Sequence, residues 1–364
     1  MKVSEITTII EDFAPLSLQE NYDNAGLLTG SSDMEVSGVL ITIDVTEEVV
    51  EEAIQKGCNL IVSHHPVIFE GLKKLNGKNY VERTVIKAIK NDIAIYAAHT
   101  NLDNVARGVS GKMADLLNLR NQKVLLPQKG NLLKLVVYVP KLHAYKVREA
   151  IFEAGAGHIG NYDYCSFNIE GKGTFRANEQ ANPFVGTVNE MHTENEVRIE
   201  VILPAFLKNR VKKALITVHP YEEPAYDFFK LENNSVITGS GIIGELDEAV
   251  EEKAFLEQVK RIFQCDVIRH TRLIGKPVKR IALCGGAGSF LIKEAIVQDA
   301  DAYISGDFKY HEFFDADNKI ILADIGHFES EQFTKVVFYE IITKKMPTFA
   351  IQISETKTNP INYL

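Results

Sequence analysis

The sequence predicts an α/β protein: a discontinuous α/β domain interrupted by an inserted ferredoxin-like α+β domain. Three observations carry that reading. Short apolar runs alternate with amphipathic helical segments over residues 1–127, the signature of βαβ units and a largely parallel sheet. Near Pro127 the order changes to β-α-β-β-α-β, and the first pattern resumes after residue 237. The two outer segments also carry complementary halves of one set of metal-capable side chains. The expected divisions are therefore 1–127, 128–237 and 238–364. A chain of 364 residues exceeds the usual span of one core, so two cores are expected.

The elements follow in order. Lys2 to Phe13 has helical periodicity and is stopped by Pro15. Gly38 to Asp44 (GVLITID) reads as a buried strand. Thr46 then caps the helix EEVVEEAIQ, which Gly57 ends. The strand CNLIVSHHP, a helix over Tyr80 to Lys90, the strand IAIYAAHTNLD and a helix near Gly108 to Leu117 complete the first segment. In the insert, strands are expected over Leu132 to Pro140, Asn161 to Ala177, Val197 to Phe206 and Asp227 to Asn233. Helices are expected over His143 to Gly155 and Asn209 to Ile216. The last segment reads as a helix over Glu248 to Phe263, a strand over Arg280 to Gly286 and a helix over Phe290 to Gln298. The strand-led runs DAYISGDFKYHE and KIILADIGHFESE then follow.

Four strand-like runs end in His and carboxylate side chains, and these endings hold five of the ten histidines. Ligands of open α/β sheets collect beyond the carboxyl ends of strands, so one shared metal site is expected. His64 and His65 would point to opposite faces of a strand. At an end broken by Pro66 they can splay round one cavity, each reaching a different metal ion. Asp103 has two oxygens with which to bridge two cations, and His99 lies four residues before it. His327 and Glu331, four apart at a helix start, share one helical face. Imidazole and carboxylate donors without thiolate suit Zn first, with Mn, Fe and Co as further choices. CGGAGS joins a strand to a helix, so Gly285, Gly286, Gly288 and Ser289 are expected to cradle a substrate phosphate. Asp307, Lys309 and His311 stand beside the metal residues, and His311 and His99 are the candidate proton-transfer groups.

A net charge of −9 argues against a broad nucleic-acid surface, which needs clustered Lys and Arg. Cys58, Cys165, Cys265 and Cys284 show no paired spacing and fit a reducing compartment. No apolar stretch reaches about 18 residues, and no signal-peptide pattern opens the chain. A cytoplasmic protein without a membrane span is expected.

YDNAGL, ITIDVT, VSHHP, HTNLD, CGGAGS, ISGDFKYHE and IGHFESE, in that order, resemble the Nif-three-like family along the whole chain. Its members go by the name GTP cyclohydrolase 1 type 2 homologue. The likeness is to the long bacterial form, whose insert is PII/CutA-like; GAGHIGNYDYCSF and HPYEEPAYD are similar to that insert's signatures. Tyr22 stands where an aromatic of this motif is often Trp. The resemblance implies a dinuclear centre in which His64, Asp103 and Glu331 hold one divalent ion. His65, His327 and Glu331 hold the other, and Glu331 bridges. It also implies a toroidal homohexamer. The expected activity is metal-dependent hydrolysis of a nucleotide or related phosphate-bearing small molecule, with GTP ring opening one candidate. The alternative is a non-catalytic metal-handling regulator whose PII-like insert senses a small molecule.

Overall fold

The computed structural model describes all 364 residues. They form two compact units: Met1–Pro127 together with Ile237–Leu364, and Gln128–Val236. The expected division lay at residue 237. Ile237 falls in the first unit, where its carbonyl accepts the Ala106 N–H at 3.0 Å.

The N-terminal half contributes strands β1 (Gly26–Thr29), β2 (Val39–Thr42), β3 (Leu60–Ser63), β4 (Ala94–Ala97) and β5 (Arg120–Pro127). Its helices are α1 (Val3–Phe13), α2 (Glu47–Gln55), α3 (Tyr80–Lys90), the one-turn α4 (Thr100–Asp103) and α5 (Val109–Leu116). The helices start where side chains satisfy free amides. Thr46 Oγ1 accepts the Val49 N–H at 3.3 Å, and Asn79 Oδ1 accepts that of Glu82 at 2.8 Å. On α1, Val3, Ile6, Thr7 and Ile10 are buried, a single helical stripe.

The second unit holds β6 (Leu132–Pro140), α6 (Ala144–Glu153), β7 (Phe167–Arg176), β8 (Met191–Pro204), α7 (Lys208–Val218) and β9 (Tyr226–Leu231). Its strands form an antiparallel sheet in the order β7-β8-β6-β9. One face packs on the helices through Leu135, Val137, Val147, Ile199 and Leu215. β8 begins six residues before the expected Val197. Its leading half, MHTENE, is too polar to read as a strand, but it pairs with the equally polar β7.

The C-terminal half adds β10 (Gly239–Val250), α8 (Glu252–Ile262), β11 (Arg269–His270), β12 (Val278–Ala287), α9 (Ile292–Val297), β13 (Ala302–Gly306), β14 (Ile321–Asp324), α10 (His327–Glu331), α11 (Thr334–Lys345) and β15 (Ile351–Ile353). The first unit therefore has two sheets, ordered β1-β4-β3-β2-β15 and β11-β14-β13-β12-β10-β5. Each sheet borrows a strand from the other half of the chain: β15 joins the N-terminal strands, and β5 joins the C-terminal ones. Strands β15, β2, β3 and β4 run parallel, as do β12, β13 and β14. β1, β5 and β10 carry too little continuous apolar character to be expected from sequence, and β15 is only three residues long.

Candidate metal centre

The register of the first sheet sets half of the site. Ser63 pairs with Ala97 across β3 and β4, so His64 and Ala98 leave their strands side by side. His64 Nδ1 lies 3.0 Å from the Ala98 carbonyl. The N–H therefore sits on Nδ1, and the lone pair is on Nε2, inside the protein. His65 leaves in the other direction and meets Asp44, just past β2, with Nδ1 2.7 Å from Oδ1. One-turn α4 then brings Asp103 back beneath these rings.

The second sheet supplies the rest. At the end of β14, Asp324 accepts the N–H groups of Phe308 and Gly326 at 2.9 and 3.0 Å. Gly326 adopts a φ of +92°, turning the chain sharply into α10. His327 and Glu331 follow on one face of that helix. His327 Nδ1 lies 2.8 Å from Asp307 Oδ2, so its Nε2 also points inward.

Five side chains converge as a result. Glu331 Oε2 is 2.9 Å from His65 Nε2 and 3.1 Å from His327 Nε2, while Oε1 is 3.6 Å from His64 Nε2. Asp103 Oδ1 is 3.7 Å from the same His64 nitrogen. Two ligand triads result, His65–His327–Glu331 and His64–Asp103–Glu331, and Glu331 belongs to both. A third group joins His64 and His65 to a ring nitrogen of His99.

The donor atoms fit a cation. His64 Nε2, Asp103 Oδ1 and Glu331 Oε2 are buried without a properly directed hydrogen bond. Glu331 Oε2 is close to two imidazoles in distance but not in angle. Buried polar atoms of this kind are costly unless something satisfies them. The Nε2 atoms of His65 and His327 stand 3.3 Å apart. Two lone pairs cannot face each other at that range without a positive centre, either a proton or a metal ion.

Electrostatics follow from the same contacts. Burial disfavours the His64 charge and lowers its pKa. Burial also opposes charge on His65 and His327, but their carboxylate partners prevail and raise them to about 10 and about 11. Burial, reinforced by Glu331, pushes Asp103 well above the ordinary carboxylate range. Glu331 is deeply buried too, yet the three imidazoles hold it well below that range.

Other expected site residues are placed as follows. His99 Nδ1 lies 2.8 Å from Asp23 Oδ1, and Asp23 also accepts the Thr100 N–H and hydroxyl. Burial works against the Asp23 charge, but His99 and Thr100 bring its pKa down to about 2. His311 is exposed on the turn Tyr310–Ala316, against the rings of Tyr310 and Phe314. The glycine turn is engaged internally: the Gly285 N–H meets Ser110 Oγ at 3.3 Å, and that of Gly286 meets Ser330 Oγ at 2.9 Å. Gly286 has a φ of +62°, and a Cβ there would overlap Glu331 Oε1. This turn makes room for the shared carboxylate, a duty the sequence reading did not anticipate. Ser289 Oγ donates to Glu312 at 3.0 Å.

Sequence reasoning assigned no role to Asp23 or Asp44. Asp44 ends the strand run GVLITID, and a carboxylate just past a strand is the available signal for a histidine-orienting group, whereas Asp23 lies in the YDNAGL motif ahead of β1. A third such residue, Thr358, gives no local signal; its hydroxyl donates to Asp44 Oδ2 at 2.7 Å.

With this geometry established, comparison with known proteins places the chain. A family model described as Duf34/NIF3 (NGG1p interacting factor 3) matches residues 1–360. The chain belongs to the Duf34/NIF3 family. A protein of Halalkalibacterium halodurans named GTP cyclohydrolase 1 type 2 homolog is 39% identical, with all of both chains covered. One of the same name from Bacillus subtilis is 37% identical over 99% of this chain and 98% of its own. Among solved structures, a Bacillus cereus protein related to NIF3 superposes with a TM-score of 0.88 at 39% identity, covering 100% of this chain and 99% of that one. This NIF3 chain thus shares the mixed α/β fold of its family and carries groups that could hold a metal ion. No helix in it is long and apolar enough to cross a membrane.

Proposed function

We propose that this protein is a dinuclear metal-dependent hydrolase acting on a nucleotide or related phosphate-bearing small molecule. The observation that carries the reading is Glu331, whose two oxygens belong to two ligand triads at once. His64, Asp103 and Glu331 would hold one divalent ion, and His65, His327 and Glu331 the other. Zinc is the first choice for this imidazole and carboxylate set, ahead of Mn, Fe and Co. When bound, the ions supply Lewis acidity for activating water and offsetting phosphate charge.

The chain's own groups do the rest. Ala98, Asp44 and Asp307 fix which ring nitrogen each histidine turns inward. His99, oriented by the Asp23 carboxylate, is the group we assign to proton transfer, because its ring borders His64 and His65. His311 is the less favoured choice on its exposed turn. The names of the curated relatives make GTP ring opening, with attack at the purine C8, the first substrate to try. We include in the proposal a ferredoxin-like, PII/CutA-like insert and a toroidal homohexamer. The β-α-β-β-α-β order and the β7-β8-β6-β9 sheet support the insert's assignment.

The test is turnover of a nucleotide panel, GTP included, by metal-reconstituted protein beside a His64→Ala/Glu331→Ala double variant. Product formation lost in the double variant supports the reading. Equal activity in both proteins, or none with any metal and nucleotide, removes it. The latter outcome favours a metal-handling regulator.

A further inference from the structure

A cavity of about 620 Å³ lies within the inserted unit, on the sheet face turned away from the helices. That volume suits a small organic molecule, for which sites of roughly 300–1,000 Å³ are usual. Its floor follows from strand alternation. Val137 and Val139 on β6, with Val197 and Ile199 on β8, are buried in the core. The alternate residues Tyr138, Glu196 and Arg198 therefore emerge on the other face. Cross-strand pairing puts Ile169 opposite Arg198 and Gly171 opposite Glu196. Gly171 and Gly173 are successive positions of β7 on this face, and their missing side chains leave a trough. Glu196 lies across Gly173, where a Cβ would overlap its carboxylate.

The segment 177–190 roofs the trough. Its Asn182 N–H is fastened to Glu222 Oε1 at 2.9 Å, and its Asn189 N–H to the Ala177 carbonyl at 2.8 Å. Three rings form the walls. Phe175 and Phe184 stand 6.0 and 6.4 Å from Tyr221, tilted at 61° and 52° to it. Such oblique rings present their faces and edges to a common space.

The polar groups favour one charge. Tyr221 donates to Glu196 Oε1 at 2.9 Å, leaving Oε2 for a ligand. Glu222 and Glu223 add two carboxylates. Arg198 pairs with Glu200 through Nη2 at 2.7 Å, while its Nε is buried without a hydrogen-bond partner, one cationic donor against the carboxylates of Glu196, Glu222 and Glu223. Lys172 and Arg176 border the cavity, but at alternate positions of β7, so their side chains leave from its other face. Rings backed by carboxylates attract cations.

We propose that this cavity binds a small organic cation, an ammonium or guanidinium group carried on an apolar body. The inference is independent of the metal centre and of any hydrolase activity.

The test is calorimetric titration of the full chain with choline, agmatine and 3,3-dimethyl-1-butanol, the uncharged isostere of choline. Saturable binding of choline or agmatine is expected, with the isostere at least about tenfold weaker. Phe184→Ala, which changes a half-exposed ring, and Glu196→Gln should each weaken the cation about fivefold or more. Glu331→Ala should leave it unchanged. The proposal falls if neither cation saturates at millimolar concentration, or if the isostere binds as well. It falls equally if Glu331→Ala abolishes binding. Native mass spectrometry supplies the remaining arm. If Phe184→Ala dissolves an assembly while leaving cation binding intact, this face is a contact between copies and not a ligand site.

Discussion

The two halves of the candidate metal centre use the same residue types and support them differently. His64 is fully buried and backed by a neutral carbonyl, whereas His65 and His327 keep 24% and 34% of their side chains exposed and are backed by carboxylates. A carbonyl fixes the tautomer of an imidazole and adds little negative charge. A carboxylate fixes it and raises the basicity of the inward nitrogen as well. The half that is poor in imidazole instead gains a second carboxylate of its own, Asp103. One half holds charge in the ligands, and the other holds it behind them.

The largest test of that contrast removes the residue common to both halves. Glu331→Ala should abolish binding of both ions, seen as loss of metal by elemental analysis after gel filtration. Retention of one equivalent would show that the halves are separable, with Glu331 serving only one. Next come the supports. Asp44→Asn and Asp307→Asn should each cost about ten- to a hundredfold in affinity for one ion and spare the other. A chelator competition titration resolves the two steps. Equal weakening of both steps would mean that the halves act as one cluster.

Acidity separates the halves further. Without metal, the carboxylate partners push the pKa values of His65 and His327 up to about 10 and about 11, while burial lowers that of His64. Binding an ion to the former pair must therefore release protons at neutral pH. Its affinity should climb with pH more steeply than any contribution from His64 does. The ion-free fold gives the converse sign. A raised histidine pKa contributes stability in full below the unfolded value near 6.5, and that stability is lost as pH rises through the folded value. The ion-free protein should thus lose melting temperature between about pH 7 and pH 10, and the loaded protein should lose less. Thermal melts with and without chelator check this, and His65→Gln should flatten the ion-free curve.

The convergence of His64, His65, Asp103, His327 and Glu331 was legible because each follows a continuous apolar strand run. Burial on both faces makes such runs conspicuous in β3, β4 and β14. The supports were harder to find. Asp44 also follows a strand, but nothing local says that it will face a histidine 21 residues away. The glycine turn looked like an anion cradle because that local pattern is shared by phosphate loops. Only the fold shows that Ser110 and Ser330 engage its amides and that Glu331 fills the space a side chain at Gly286 would need. Strands β1, β5, β10 and β15 escaped notice for a related reason: they are short, lie near sheet margins or mix polar residues among apolar ones. Thr358 is the extreme case. It acts on Asp44 across more than three hundred residues of sequence, through a C-terminal segment with no regular structure.

The smallest expected effects belong to that segment. Thr358 Oγ1 holds the Asp44 oxygen that does not touch His65, so Thr358→Val should loosen the carboxylate without removing it. A few-fold loss in affinity for the His65 ion is expected, because only part of the roughly 1.5–3 kcal/mol of a hydrogen bond to a charged group reaches the ion through Asp44 and His65. Thr358→Ser should restore it. A loss that serine does not rescue would make the effect one of packing. The same segment is anchored at Glu52, which accepts hydrogen bonds from Ser354, Thr356 and the Glu355 N–H and pairs with Lys56. Burial opposes its charge, but these partners lower its pKa to about 2. A depressed carboxylate pKa contributes stability in full above the unfolded value near 4.5, and that stability is lost as pH falls through the folded value. The segment should therefore be released by acid between about pH 4.5 and pH 2. Glu52→Gln should remove most of that acid dependence, and hydrogen exchange at Glu355 and Thr356 reads it directly. If the metal affinity of Glu52→Gln matches wild type while Thr358→Val does not, Asp44 is held by its own hydrogen bond and not by the anchoring of the tail.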